Sequence, residues 1–186
     1  QYNRFGKGSF DYVKGGGGSG DVTVSYVHNL YDGFQMLHDA VSLYEPLCDF
    51  YRANVNEQYD QGSVPGMTTE PALSAELLAG ASAYTDTAVI VLSRFSGEGW
   101  DRSSIEYNGE YNPWETETSM PKISGEIFPD GDFYLTKEES AMIAQVKQHF
   151  SRIAVVLNIG GIIDTSWIKN DDQISSALIA WQGGME

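Results

Sequence analysis

The residue best placed to do chemistry is Glu98, in the stretch Ser93-Arg94-Phe95-Ser96-Gly97-Glu98-Gly99-Trp100-Asp101-Arg102. It comes directly after the apolar run Ala88-Val89-Ile90-Val91-Leu92, which reads as a fully buried strand. A carboxyl group between two glycines, straight off such a strand, is an odd thing to build for stability. Glycines let a backbone take unusual conformations and let a ligand come close. In open α/β sheets, ligands bind in the crevice at the carboxyl ends of the strands, where Glu98 would sit. There it could exchange a proton with whatever the glycines admit. A plain polar turn with a solvated Glu has the same spacing, and the residues alone leave both readings open.

A second glycine-rich stretch, Gly15-Gly16-Gly17-Gly18-Ser19-Gly20, lies between Lys14 and Asp21. Its composition fits a flexible linker. Gly15, Gly17 and Gly20 formally match a dinucleotide fingerprint, but no strand is evident before them and no clear helix opens on them. The reading favoured here is a loop whose bare backbone lets a substrate hydroxyl reach N–H groups.

Other chemistries are poorly supported. His28, His38 and His149 are not at ligand spacing with one another or with Cys48, so no metal site is expected. Gly97-Glu98-Gly99 is not a nucleophile elbow, and no Ser-His-Asp triad stands out. The acidic segments Glu106–Glu117 and Asp130–Asp132 lack an EF-hand pattern and read as solvated loops. Cys48, the one cysteine, reads as a small buried hydrophobe. Lys+Arg 11 against Asp+Glu 26 gives a net charge of −15, which argues against nucleic acid or an anionic membrane as a partner. No run approaches 18 apolar residues. The first residues hold neither an initiator Met nor a signal-peptide core, so the chain reads as cut from something longer and its compartment stays undecided.

The elements that would position these residues follow from periodicity. Residues 1–14 show none, and 21–27 alternate as a short strand or extended segment would. Asn29 caps a short helix carrying Leu30, Phe34 and Leu37. Helices are expected over 41–59, with Pro46 in a first turn, and over 70–80, with Pro71 near its start. Residues 103–132 read as one long irregular stretch. Thr136 and Glu139 form a capping box for a helix bearing Met142, Ile143, Val146 and Phe150. Further strands are expected at 153–157 and 177–181, joined by a short crossover. Strand, helix, strand, crossover, strand predicts an α/β fold: a mainly parallel sheet flanked by helices, a three-layer α/β/α sandwich incomplete at both ends. Each strand is followed by a glycine-bearing loop, and all these loops fall on one edge.

Taken together, the glycine loop 14–21, the block 88–102, the stretch from Phe133-Tyr134-Leu135-Thr136 through Leu157-Asn158-Ile159-Gly160, and Ala180-Trp181-Gln182-Gly183-Gly184-Met185-Glu186 resemble glycoside hydrolase family 3. The blocks span nearly the whole chain, and Ser-Gly-Glu-Gly and Trp-Gln-Gly-Gly are the more specific of them. The resemblance implies a single domain over 1–186, the α/β sandwich of a retaining β-glycosidase, most simply a β-glucosidase. It implies a partner TIM-barrel domain carrying an Asp nucleophile, absent here, so the chain alone would be inactive. It makes Glu98 the general acid/base on a β-linked glycoside. It sets Gly18 and Ser19 beside the sugar, and it implies no cofactor. Trp100 would cover the site or the aglycone, or pack under the loop. Asp101 and Arg102 would pair to pin the Glu98 loop. The stretch from Ser103 to Asp132 is longer than the family's usual one, and the domain order is open. A non-catalytic sugar-binding or interaction domain on the same fold is the alternative.

Overall fold

The computed structural model describes residues 1–18, 21–97 and 120–185. Among the described residues, four strands form one sheet in the order β1-β2-β3-β4: β1 Asn3–Phe5, β2 Thr87–Arg94, β3 Arg152–Ile159 and β4 Ile174–Ile179. Every neighbouring pair is parallel. The three expected runs are therefore parallel strands of one sheet, although β4 begins and ends earlier than expected and leaves Trp181 beyond it. β2 and β3 are buried and β-branched, as strands covered on their faces must be.

The helices are α1 Leu30–Met36, α2 Glu45–Asp60, α3 Ala75–Tyr84, α4 Met120–Ile127, α5 Lys137–His149 and α6 Ser166–Lys169. Asn29 caps α1 through a capping box with Asp32. Thr136 and Glu139 do the same for α5, where Thr136 Oγ1 accepts from the Glu139 N–H and Glu139 Oε2 accepts from the Thr136 N–H. Phe5, Ile90, Leu92, Val155 and Leu157 share one face of the sheet and form a single core with Leu47 and Tyr51 of α2, Leu78 and Ala81 of α3, and Met142 and Val146 of α5. Arg4 is one residue out of phase with Phe5, so it points to the other face. There its guanidinium lies 4.8 Å from the Phe10 ring and 4.9 Å from the Tyr31 ring of α1. Cys48 is buried on α2, and burial pushes its thiol pKa up.

Four expectations are corrected. The stretch 1–14 holds β1 and a 3-10 turn, Lys7–Ser9, which its polar residues hid. The alternating segment 21–27 is not a strand among the described residues. The helix expected at 70–80 begins at Ala75, capped by Ser74, and Glu70 lies before it as a buried acceptor. The end of the long irregular stretch carries α4. No described helix is long and apolar enough to cross a membrane.

Candidate active site

The loops leaving the carboxyl ends of the strands meet one another. Gly6, directly after β1, has φ 97, and a Cβ there would fall on the Val91 carbonyl, so only glycine lets the chain turn across β2. From that turn the chain runs past Asp11 and Val13 into the glycine loop. Gly17 of that loop pairs in parallel with Gly97, and its N–H donates to the Ser96 carbonyl at 3.2 Å. A Cβ on Gly97 would stand 2.6 Å from Gly17 N, and one on Gly16 would stand 2.8 Å from Ser96 O. These glycines are there because two backbones touch.

The other strand ends join the same knot. Asn158, fully buried near the end of β3, accepts from the Val13 N–H at 2.6 Å through Oδ1. Its Nδ2 donates to the carbonyls of Val13 at 3.0 Å and Trp181 at 2.7 Å. Past β4, Trp181 has φ 57, a left-handed conformation uncommon for a non-glycine residue. It is followed by Gln182, whose Nε2 donates to Ser96 O at 3.3 Å, and by Gly184, whose N–H donates to Lys14 O at 2.7 Å. A Cβ on Gly160 would lie 2.5 Å from Ser96 Oγ and 2.6 Å from Gln182 Nε2.

Beneath these loops lies a layer of buried charge. Arg94, the last residue of β2, donates through Nη1 and Nη2 to the two carboxylate oxygens of Glu139, both at 2.6 Å, with side-chain exposures of 0% and 3%. It also donates to the carbonyls of Asp132 and Tyr134. Burial alone would raise the Glu139 pKa, but the Arg94 charge and hydrogen bonds overcome it, and the net shift is downward. Asp11 accepts from Lys7 Nζ, Tyr59 OH, Thr68 Oγ1 and the N–H groups of Gly66 and Thr68. Burial pushes its pKa up, yet Lys7 and these donors hold it at about 2. Glu70 goes the other way. Burial raises it to about 7, with the Glu139 charge adding to the rise, although it accepts from Tyr51 OH at 2.7 Å and the Lys7 N–H at 2.9 Å.

Of the residues the sequence singled out, Gly18 lies in the described part of the glycine loop, with φ 78. Ser19, Glu98, Trp100, Asp101 and Arg102 lie outside the described residues. Glu98 follows Gly97 by one peptide bond, so the contact between Gly17 and Gly97 bears directly on where its backbone starts. The sequence reading missed the roles of Asn158, Gln182, Asp11 and the Arg94–Glu139 pair. An Asn at the end of an otherwise apolar strand was the signal available for the first. A polar cavity of about 510 Å³ lies at the opposite edge of the sheet, lined by Tyr2, Asp86, Arg152 and Ser176, and holds none of the candidate residues.

A parallel sheet with helices packed on it, its glycine-bearing loops converging at the carboxyl edge, defines an α/β domain. The chain belongs to glycosyl hydrolase family 3: residues 4–186 match its C-terminal domain. It is 52% identical to beta-glucosidase A of Butyrivibrio fibrisolvens over 182 residues, 98% of this chain and 22% of that protein. It is 30% identical to a beta-glucosidase of Ruminococcus albus, over 97% of this chain and 17% of that protein. The solved structure of beta-glucosidase 3B from Thermotoga neapolitana in complex with alpha-D-glucose superposes with a TM-score of 0.75 at 26% identity, covering 100% of this chain and 23% of that one. A beta-glucosidase from Paenibacillus barengoltzii gives the same TM-score at 27% identity, over 99% of this chain and 18% of that one. The chain thus spans about a fifth of the length of the relatives it matches.

Proposed function

We propose that this chain is the sandwich domain of a retaining β-glucosidase and that Glu98 is its general acid/base. The nucleophile, an Asp, belongs to a TIM-barrel domain of the same polypeptide. As the Asp attacks the anomeric carbon, the bond to the leaving oxygen breaks and Glu98 gives that oxygen its proton. Glu98, now ionised, then takes a proton from the water that attacks the anomeric carbon and frees the Asp. Closure of the barrel over the Glu98 loop removes water and raises the carboxyl pKa enough to keep it protonated for the first step. Gly18 and Ser19 border the sugar, Trp100 covers the aglycone side, and Asp101 with Arg102 steadies the loop.

The observation that supports this reading best is the pairing of Gly17 with Gly97, which brings the glycine loop against the residue preceding Glu98. A solvated turn needs no such backbone contact. By this reading the chain alone hydrolyses no glycoside.

The test is Glu98→Gln in the full-length enzyme. On a substrate whose leaving group is another sugar, kcat/KM should fall by roughly 10²–10⁴-fold, the usual worth of general acid catalysis. On an activated aryl glucoside, kcat/KM should hardly change while turnover stalls at the glycosyl-enzyme, and added azide should restore it. Wild-type rates on both substrates would return Glu98 to the role of a solvated turn residue.

A further inference from the structure

We infer that Asn158 is a positioning residue for the reaction, setting the glycine loop and the segment before Glu98 at a fixed separation. The inference rests on the reading of Glu98 given above. Asn158 stands opposite Ser93 in the parallel register of β3 and β2, one residue before Arg94, where β2 gives way to the Phe95-Ser96-Gly97 segment. Its amide has one acceptor and two donors, and all three are used on backbone: Val13 N–H, Val13 C=O and Trp181 C=O. Val13 leads into the loop whose Gly17 pairs with Gly97. Trp181 leads into Gln182, which holds the Ser96 carbonyl. One side chain therefore fastens both segments that donate to the Ser96 carbonyl.

The side-chain type is demanding. A carboxylate at 158 would face the two carbonyls that now receive N–H groups. Leucine would leave two carbonyls and an N–H unpartnered in a buried place. Serine is too short to reach three groups. The strained Trp181 backbone, φ 57, falls on one of the groups that Asn158 ties down, which fits a conformation held by its surroundings rather than by local preference. Nothing in this arrangement needs Asn158 to touch substrate. Its effect passes through where Glu98 starts.

The experiment compares Asn158→Asp and Glu98→Gln in the full-length enzyme, measuring kcat/KM on a glucosyl disaccharide and on an activated aryl glucoside. A misplaced proton donor harms only the substrate that needs protonation. For Asn158→Asp the disaccharide value should fall ~10–100-fold, the scale of a positional error of about an ångström at a reacting centre. The aryl value should stay near wild type, so the ratio of the two moves in the same direction as in Glu98→Gln. If Asn158→Asp does not fold, Asn158→Ser, which introduces no charge, is read by the same ratio. An unchanged ratio in the folded variant, with both rates lowered equally or neither lowered, overturns the positioning role. If Glu98→Gln itself leaves the ratio unchanged, the acid/base reading fails first, and that result does not depend on any variant at Asn158.

Discussion

Replacing Arg94 with methionine should be among the most damaging single changes in this chain. Arg94→Met keeps much of the side-chain volume but removes the bidentate partner of Glu139, leaving its buried carboxylate only the weaker influence of the Lys7 charge. Breaking a buried pair by removing one partner costs about 3–5 kcal/mol, chiefly because the remaining charge is uncompensated. The upper half of that range is expected, because the carbonyls of Asp132 and Tyr134 lose a donor as well. Domains of this kind have about 5–15 kcal/mol in all, so the loss is a large share. The pH dependence separates this cause from lost packing. In the wild type Glu139 is held below its ordinary pKa, so its contribution is present above the unfolded value and fades as pH falls. In Arg94→Met the same carboxyl is raised, and its penalty grows as pH rises through the unfolded pKa and vanishes once it is protonated in both states. The destabilisation should therefore be large at pH 7.5 and clearly smaller near pH 4.5. Urea unfolding followed by circular dichroism at both pH values, with m-values checked for constancy, measures it. Arg94→Met combined with Glu139→Gln should be more stable than Arg94→Met alone at pH 7.5, since glutamine keeps the capping-box geometry without the charge. A loss under about 1 kcal/mol, or one equal at both pH values, would refute the reasoning.

Two further outcomes follow from the same layer and its loops. Glu70, raised to about 7 in the folded chain, binds a proton there that the unfolded chain has already lost, so wild-type stability should fall between about pH 4.5 and 7 and then level off; Glu70→Gln should remove that slope, by up to about 3 kcal/mol, in urea midpoints taken across the range. Gly97→Ala should cost about 1–3 kcal/mol because its methyl meets Gly17 backbone, whereas Gly15→Ala, with open space around it, should shift the urea midpoint hardly at all.

How much of this could be read from the sequence depends on the range of the cause. The strands around Val89–Leu92 and Ile153–Leu157 were legible because a parallel strand covered on both faces is a continuous apolar run. Capping by Asn29 and Thr136 was legible because a cap and its partner lie three residues apart. β1 was not, because Asn3 and Arg4 are polar and become buried only through partners far away: Asn3 donates to Ala81 O, and Arg4 sits among rings of Phe10, Tyr31 and Phe34. The alternation at 21–27 misled for the opposite reason. A strand needs a neighbour, and among the described residues the backbone bonds at that segment are the turn from Asp21 N–H to Gly18 O and, just past it, a tie from His28 N–H to Met185 O. In the helix before β2, Pro71 suggested an early start, but Ser74 is the residue whose side chain accepts the Leu77 N–H.

The glycines around the candidate site carry the same lesson into function. Read alone, Gly97 beside Glu98 suggests backbone freedom or room for a ligand. Its φ is not among the positive ones, so freedom is not what it supplies. What it supplies is the absence of a Cβ where another backbone passes, and that backbone is 80 residues away in the chain. Asn158 acts over a longer gap still, 145 residues to Val13. Packing of this kind leaves no spacing rule, because neither partner is defined until the sheet has brought the strand ends together. The Glu was visible as a chemical group in a permissive setting. The arrangement that could aim it is built from contacts between loops, each legible only once β1, β2, β3 and β4 are laid side by side.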